Sequence, residues 1–320
     1  MKGRILCLAV FLLLFSLFPS AAMADGLPQL EYGLSDSGVT ITSCDGAVAG
    51  ELVIPEEIKG KPVTGIAPGA FTGCEYLTSI SLPQSVEFVG AYAFYGCTAL
   101  ETLSIPNTAA INYEGLFAGC SALKSISLPA DFDAIPPNMF NGCSSLQRIT
   151  IPATVKSIGS GAFSGCSSLK FVILPTQLEE IGSDAFVNCS QLFFVRMPLS
   201  LASLGENAFA GCSALRILAL PENLSTIPAR AFYGCSALER ISIPAAVSRI
   251  EEEAFADCNT LAEIEFARSA ADMLIIDDGA FMLESRLETR LFVPNADKVN
   301  KAITDYEWEL SGRPYEIVEK

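Results

Sequence analysis

The chain has 320 residues, of which 50% are hydrophobic, with 20 basic residues against 36 acidic ones and no histidine. This hydrophobic content is ample for a buried core, so the bulk of the chain is expected to fold. The net charge of −16 argues against a nucleic-acid partner, because phosphate binding requires a basic surface. The absence of histidine excludes Ser-His-Asp and Cys-His catalysis and histidine-ligated zinc. The composition therefore points away from an enzyme and from a bound cofactor.

The amino terminus has the pattern of a secretory signal peptide. Lys2 and Arg4 precede an apolar stretch at residues 5–18, and Ala22-Met23-Ala24 offers small residues for cleavage. The apolar stretch is short for a membrane span. We predict a signal peptide over residues 1–24, no membrane insertion after its removal, and a secreted or cell-surface location with the periplasm as the alternative.

Residues 25–65 are predicted to form an amino-terminal cap with a strand-like first coil. Val39-Thr40-Ile41-Thr42 alternates between apolar and polar residues, and Glu51-Leu52-Val53-Ile54 is also strand-like. The segment lacks the phenylalanine and cysteine columns of the chain that follows. End units of a repeat array deviate in this way because they cover the exposed end of the core.

Residues 66–294 are built from a repeat of 23 residues. Nine cysteines follow this spacing, each with a phenylalanine three residues before it and a leucine three residues after it. The phenylalanines are Phe71, Phe94, Phe117, Phe140, Phe163, Phe186, Phe209, Phe232 and Phe255. The cysteines are Cys74, Cys97, Cys120, Cys143, Cys166, Cys189, Cys212, Cys235 and Cys258. Because one such unit cannot bury its apolar face alone, the repeat predicts a solenoid of about ten stacked coils.

Each unit contains Leu-x-x-Ile-x-Ile, the strand signature of a leucine-rich repeat, followed by a proline that ends the strand. The Gly-x-x-Ala-Phe segment is too short for a stable helix and predicts a single helical or 3-10 turn. The residue before each cysteine, usually glycine but Asn188 and Asp257 in two units, is expected to be left-handed. The predicted fold class is a right-handed leucine-rich repeat solenoid, capped at both ends. One face is a parallel β-sheet and the other consists of short helical or 3-10 turns.

The carboxy-terminal end departs from the repeat. The phenylalanine column slips by three residues to Phe281, and its cysteine is missing. Residues 291–294 are predicted as the last strand, and residues 295–306 have apolar side chains on one side, which predicts a capping helix. We therefore assign residues 295–320 to a carboxy-terminal cap.

The unit resembles the cysteine-containing bacterial class of leucine-rich repeats found in BspA-like surface proteins. The resemblance rests on the Phe-x-x-Cys-x-x-Leu spacing and covers residues 52 to 294. It implies a function similar to that of adhesins that bind host matrix proteins or other bacteria. The repeat at residues 112–134 departs from the pattern, with Asn112 in place of isoleucine and Leu116 in place of alanine. This departure is expected to weaken one coil locally.

The cysteine column is predicted to consist of free, buried thiols. An exported chain normally pairs its cysteines. Parallel coils, however, hold neighbouring Cβ atoms roughly 4.8 Å apart, whereas a disulfide requires about 3.5–4.5 Å. A metal column is disfavoured because zinc requires four ligands that converge on one point, so we predict no metal. Cys44 lies outside the column, and its state is left open.

Acidic residues cluster at Asp131/Asp133, Glu179/Glu180, Glu251-Glu252-Glu253 and Asp277/Asp278. Calcium requires six to eight converging oxygens, and no cluster has the spacing of a calcium loop. A pair of carboxylates could also serve a histidine-independent hydrolase. Solvated turns are the more ordinary interpretation, so we predict no catalytic residue.

The outward-facing strand positions change in character along the chain. They are small and hydroxylic in the first units and acidic in the last one. In the middle units they form what we call the strand-face patch: Arg148, Phe171, Ile173, Phe194, Arg196, Ile217 and Arg240. Aromatic residues beside arginine are typical of interface hot spots. Against a binding role, exposed strands favour aromatic and β-branched residues in any case, and a cap or a second copy of the chain would also account for the patch by covering it.

We therefore predict an exported, adhesin-like repeat protein that binds a macromolecule through its strand face. The expected partner is an extracellular or surface protein, with a glycan as the alternative. A structural or spacer module without a specific ligand is the competing hypothesis.

Overall fold

The computed structural model describes residues 22–24, 27–106, 110–111, 113–128, 130–267, 274–283, 289–293 and 315–319. The chain divides into two compact units, Met1–Leu116 and Phe117–Lys320. The boundary falls inside the repeat whose sequence departs from the pattern. Most of the predicted signal peptide, residue 112 and the predicted capping helix at residues 295–306 lie outside the described residues.

The described residues of the first unit form ten strands. They are β1 (Ala22–Ala24), β2 (Leu27–Leu34), β3 (Val39–Cys44), β4 (Gly50–Val53), β5 (Glu57–Ile58), β6 (Lys61–Ile66), β7 (Leu77–Ser81), β8 (Phe88–Val89), β9 (Thr102–Ser104) and β10 (Ala110–Ile111). Strands β1, β2 and β3 are antiparallel, and the sheet continues in parallel through β6, β8 and β10. Strands β4, β7 and β9 form a second, parallel sheet. Removal of the predicted signal peptide after residue 24 would take β1 with it.

In the part of the second unit that the structure describes, there are fourteen strands. They are β11 (Ala134–Ile135), β12 (Ser157–Ile158), β13 (Phe171–Ile173), β14 (Glu180–Ile181), β15 (Phe194–Arg196), β16 (Ser203–Leu204), β17 (Ile217–Ala219), β18 (Thr226–Ile227), β19 (Arg240–Ile243), β20 (Arg249–Ile250), β21 (Glu263–Phe266), β22 (Ile275–Ile276), β23 (Thr289–Val293) and β24 (Tyr315–Glu319). All their ladders are parallel. The predicted leucine-rich repeat strands form the sheets β13-β15-β17 and β19-β21-β23-β24. Each unit is thus a solenoid of stacked coils, as predicted.

A further row of parallel strands, which was not predicted from the sequence, runs along each unit, and in the first unit it consists of β6, β8 and β10. In the second unit it consists of β11-β12-β14-β16 and β18-β20-β22, and most of these strands end on the isoleucine that precedes the Gly-x-x-Ala-Phe segment. The glycine of that segment allows neighbouring coils to approach closely. A Cβ on Gly182 would lie 2.7 Å from the backbone nitrogen of Ser160 in the preceding coil, closer than real Cβ atoms come.

The predicted helical or 3-10 turns are not confirmed: the described residues there form hydrogen-bonded turns, and none is helical. The amides of Phe140 and Gly142 donate to the carbonyl oxygens of Ala162 and Ser164 in the next coil, at 2.8 and 2.7 Å. The alternate amides close turns within the coil, as that of Cys143 does to the Phe140 oxygen at 3.1 Å. A helical turn requires successive amides to bond within the segment. Here every second amide bridges two coils instead.

The backbone before each column cysteine is left-handed, as predicted, and this includes Asn188 at φ 59° and Asp257 at φ 58°. A second left-handed position, four residues earlier in each coil, was not predicted. It is occupied by Tyr92, Arg230 and Glu253 in three of the coils, at φ between 54° and 56°. These three residue types are uncommon at positive φ. In the other six coils the position is glycine, asparagine or aspartate, which tolerate this conformation, so the sequence did carry a signal for it.

The core consists of the predicted columns. The nine phenylalanines and nine cysteines of the repeat are 0% exposed. In the second unit the phenylalanine rings stack from Phe117 to Phe281 with centroids 5.0–5.8 Å apart and planes within 13° of parallel. Phe281 continues the column despite its shifted position in the sequence, as predicted. The prediction that residues 291–294 form the last strand is wrong, because β24 pairs with β23 beyond them.

Candidate binding surface

The strand-face patch lies in the second unit, and its residues are exposed. The parallel pairing of β13, β15 and β17 brings Phe171, Phe194 and Ile217 into one row. The next outward row contains Ile173 and Arg196. The side chains of Phe171, Ile173 and Ile217 are 43%, 74% and 60% exposed. No described segment covers them, so a contiguous apolar surface is open to solvent.

The residues between these rows point inward, as the alternation predicted. Val172, Val195 and Leu218 are at most 7% exposed. Each strand therefore has one side in the core and one side on the surface. The inward side fixes the register of the coils, and the outward side is free to vary in composition.

Three further exposed residues border the patch and were not predicted from the sequence. Lys170, Phe193 and Arg216 each stand directly before a patch residue, at the entry to β13, β15 and β17. Only the two later outward positions of Leu-x-x-Ile-x-Ile had been assigned to the face. The sequence does contain a signal for this row. The first position after the leucine is polar or charged in the first three units, as expected of an exposed position, and is phenylalanine in one of the middle units.

The patch ends at a shallow depression of about 500 Å³ around β17, β19 and β21. It is lined by Ile217 and Arg240 of the patch and by Arg216, Glu263, Glu265 and Phe292. Arg240 lies 3.9 Å from the Glu263 carboxylate, which also pairs with Arg290 at 2.9 Å. The surface therefore changes from apolar and cationic to mixed charge at this end.

The column cysteines have a structural role. All of the described cysteines are free and buried, including Cys44. In seven coils the thiol lies 3.1–3.4 Å from the carbonyl oxygen of the phenylalanine 26 residues earlier, to which it donates a hydrogen bond. Burial raises the pKa of the Cys97 and Cys189 thiols to about 12. A protonated, buried thiol is a poor nucleophile and a poor metal ligand.

Cys44 and Cys74 form a separate pair at the start of the first unit. Their sulfur atoms lie 3.6 and 3.9 Å from the same oxygen, the carbonyl of Asp45. A hydrogen bond between the two side chains raises the pKa of Cys44 and lowers that of Cys74. Within this pair, the hydrogen bond therefore favours the thiolate of Cys74 over that of Cys44.

We expect few thiols of the native protein to react with an alkylating reagent, because the column is buried and protonated. After denaturation without reductant, the nine column thiols and Cys44 should all be alkylated. Mass spectrometry of alkylated peptides from native and denatured samples measures both states. A disulfide joining two column cysteines in the unreduced protein would contradict this expectation. It would require the Cβ atoms of neighbouring coils to lie closer together than the coil spacing allows.

Two of the acidic clusters take part in ion pairs between coils. Asp277 pairs with Arg249 at 2.8 Å, and Glu253 pairs with Arg230 at 2.7 Å. Within the described ranges, no group of three or more cysteine, aspartate or glutamate residues is arranged to hold a metal ion. The same ranges contain no helix that is long and apolar enough to cross a membrane.

Comparison with known proteins identifies the repeat. The family model of the BspA type leucine-rich repeat region matches residues 64–193 and 190–303 in six copies. These residues make up three quarters of the chain. No protein with a curated description matches the chain.

Solved structures of bacterial leucine-rich repeat proteins are similar to this chain. The pneumococcal vaccine antigen PcpA is 18% identical, with a TM-score of 0.52, and the match covers 94% of this chain and 98% of that one. A leucine-rich repeat protein from Bacteroides ovatus is 22% identical, covering 91% and 98%, with a TM-score of 0.45. A leucine-rich cell surface protein from Faecalibacterium prausnitzii is 22% identical, covering 81% and 95%, with a TM-score of 0.42. At these identities the likeness concerns the fold.

Proposed function

We propose that this chain, which belongs to the BspA type leucine-rich repeat family, is an exported module that binds a macromolecule through the strand-face patch. The partner is an extracellular or surface protein, and the role is adhesin-like. One observation carries the proposal. The second unit exposes a contiguous row of Phe171, Phe194 and Ile217 on a face where solvated strands carry polar residues.

The composition of the patch supports binding over a purely structural role. Aromatic residues and arginine are enriched at hot spots of protein interfaces, where they supply apolar contact and multiple hydrogen-bond donors. A spacer module gains nothing from exposed apolar side chains, which favour aggregation. The competing hypothesis of a spacer therefore leaves Ile173, at 74% exposure, without a role.

Export and surface location belong to the same proposal. They rest on the signal-peptide pattern of residues 1–24 and on membership in a family whose namesake proteins lie at the bacterial surface. The proposal includes no catalytic role, and the absence of histidine excludes Ser-His-Asp and Cys-His catalysis. Sequencing of the amino terminus of secreted protein tests the export step.

The binding proposal predicts that a partner shields Lys170 but not Lys156. Both lysines are exposed and lie in neighbouring coils of the second unit. Lys170 borders the strand-face patch, whereas Lys156 precedes β12 in the other sheet. The chain without residues 1–24 is first screened against extracellular matrix proteins and surface polysaccharides. Amine acetylation with and without the ligand found, read by mass spectrometry, then gives the protection of each lysine.

Protection of Lys170 alone is the expected result. Equal protection of both lysines, or protection of Lys156 alone, would assign the interface to another surface. Absence of binding to every protein and polysaccharide in the screen would favour the spacer hypothesis.

A further inference from the structure

The strand-face patch and its border have the opposite charge to the rest of the chain. We consider the five strand segments at residues 147–151, 170–174, 193–197, 216–220 and 239–243. Their cationic side chains are Arg148, Lys170, Arg196, Arg216 and Arg240. The one acidic residue in these segments is Glu239. The segments therefore carry a net charge of +4 on a chain whose net charge is −16. Basic residues are thus concentrated on the face that also exposes the apolar row.

These cationic side chains are not neutralised by close ion pairs among the described residues. Among the described residues, Arg148, Lys170, Arg196 and Arg216 form no ion pair, and Arg240 makes only a loose contact of 3.9 Å with Glu263. Elsewhere in the second unit, Arg230, Arg249 and Arg290 pair with carboxylates at 2.7–2.9 Å. The structure thus uses arginine in two ways: in close ion pairs between coils outside the patch, and without a close ion pair within it.

From this charge complementarity, and on the basis of the proposed function, we infer that the partner of the strand-face patch is an acidic polypeptide with apolar side chains. Carboxylates of the partner would pair with Arg148, Lys170, Arg196 and Arg216. Its apolar side chains would cover the row of Phe171, Phe194 and Ile217. Opposite charges across an interface raise the association rate and select against partners of the wrong sign. A partner with the average charge of this chain's own surface would also be attracted, while a basic protein would be repelled.

A polypeptide fits this surface better than an acidic polysaccharide does. Sugar hydroxyls both donate and accept hydrogen bonds, so sugar sites require acceptors as well as donors. Arginine and lysine only donate, and the charged acceptors near the patch, Glu239, Glu263 and Glu265, all lie at its Arg240 end. Ile173 and Ile217 are the most exposed apolar residues of the patch, and aliphatic side chains match apolar side chains of a protein.

The inference is tested with synthetic probes of defined charge. The acidic probe is a peptide of Glu-Glu-Leu-Leu repeats, which in extended form presents carboxylates and leucines on each side. The controls are a peptide of Lys-Lys-Leu-Leu repeats and a polyuronate such as alginate. Titration calorimetry of the full chain without residues 1–24 measures each dissociation constant at low and at high salt.

We expect the acidic peptide to bind, the basic peptide not to bind, and the affinity to fall as salt is added, because exposed charges are screened. The variant Arg148→Glu with Arg196→Glu should weaken binding of the acidic peptide by about tenfold or more. Neither arginine has an ion pair to lose, so the fold is retained. Lys156→Glu is the matched control: it changes the sign of one exposed charge outside the patch and should leave the affinity unchanged.

Several results would overturn the inference: no binding by the acidic peptide, equal binding by the two peptides, or binding by the polyuronate alone. Self-association of the chain that is lost at high salt and in the Arg148→Glu, Arg196→Glu variant would assign the patch to a second copy instead. The proposed function has a separate readout in the protection of Lys170. It therefore survives if a neutral or basic ligand shields that lysine, and only the inferred chemistry of the partner fails.

Discussion

Phe209→Ala is expected to destabilise the second unit by about 3–5 kcal/mol. The ring is 0% exposed and stacks between Phe186 and Phe232, with centroids 5.0 and 5.8 Å away. Its removal leaves a cavity that the two neighbouring rings share. The coils on either side are held in register by β-ladders, so they cannot close around the gap independently. Denaturation in guanidinium chloride, followed by circular dichroism, measures the loss.

Phe193→Ala is the matched control, because it removes the same ring from a position that is 49% exposed. Surface substitutions of this kind usually change the free energy of unfolding by about 0.5 kcal/mol or less. If the two variants were equally stable, the stacked rings would not form the core of the coil, and the assignment of the columns would fail.

The double variant Phe171→Ser with Phe194→Ser is expected to lose binding while keeping the fold. Both rings are partly exposed, at 43% and 37%, and both face away from the core. Each substitution should therefore alter stability by about 0.5 kcal/mol or less. If these rings are hot spots, the binding free energy should fall by about 2–4 kcal/mol. This loss corresponds to a dissociation constant that is roughly 30- to 900-fold higher.

The phenylalanine, cysteine and leucine columns could be predicted from the sequence because their spacing is set by the length of one coil. A side chain that must stack on its counterpart in the next coil recurs at that length. Phe281 departs from the spacing by three residues, and its ring still stacks on that of Phe255. The outward rows followed from the same alternation. Phe171 and Ile173 could be assigned to the surface because Val172 between them belongs to the core.

The turn side could not be predicted, because its structure depends on hydrogen bonds between coils. Whether an amide such as that of Phe140 bonds within its own turn or to the next coil is not encoded in the local residues. The two-residue strands, such as β12, are too short to give an alternating pattern. The border residues Lys170 and Arg216 were missed for a different reason. They lie at the bend where the chain enters the strand, before the alternation begins.

The most direct measurement of the central claim is the affinity of the wild-type chain and of the Phe171→Ser, Phe194→Ser variant for one ligand, determined side by side. The ligand is the one that shields Lys170, and the melting temperature is recorded for the same samples. The strand-face patch predicts a dissociation constant about 30- to 900-fold higher in the variant, with little change in melting temperature. An unchanged dissociation constant would contradict the claim, because the two rings would then contribute nothing to an interface that shields Lys170 beside them. A melting temperature reduced as far as that of Phe209→Ala would mean that the strand face belongs to the core.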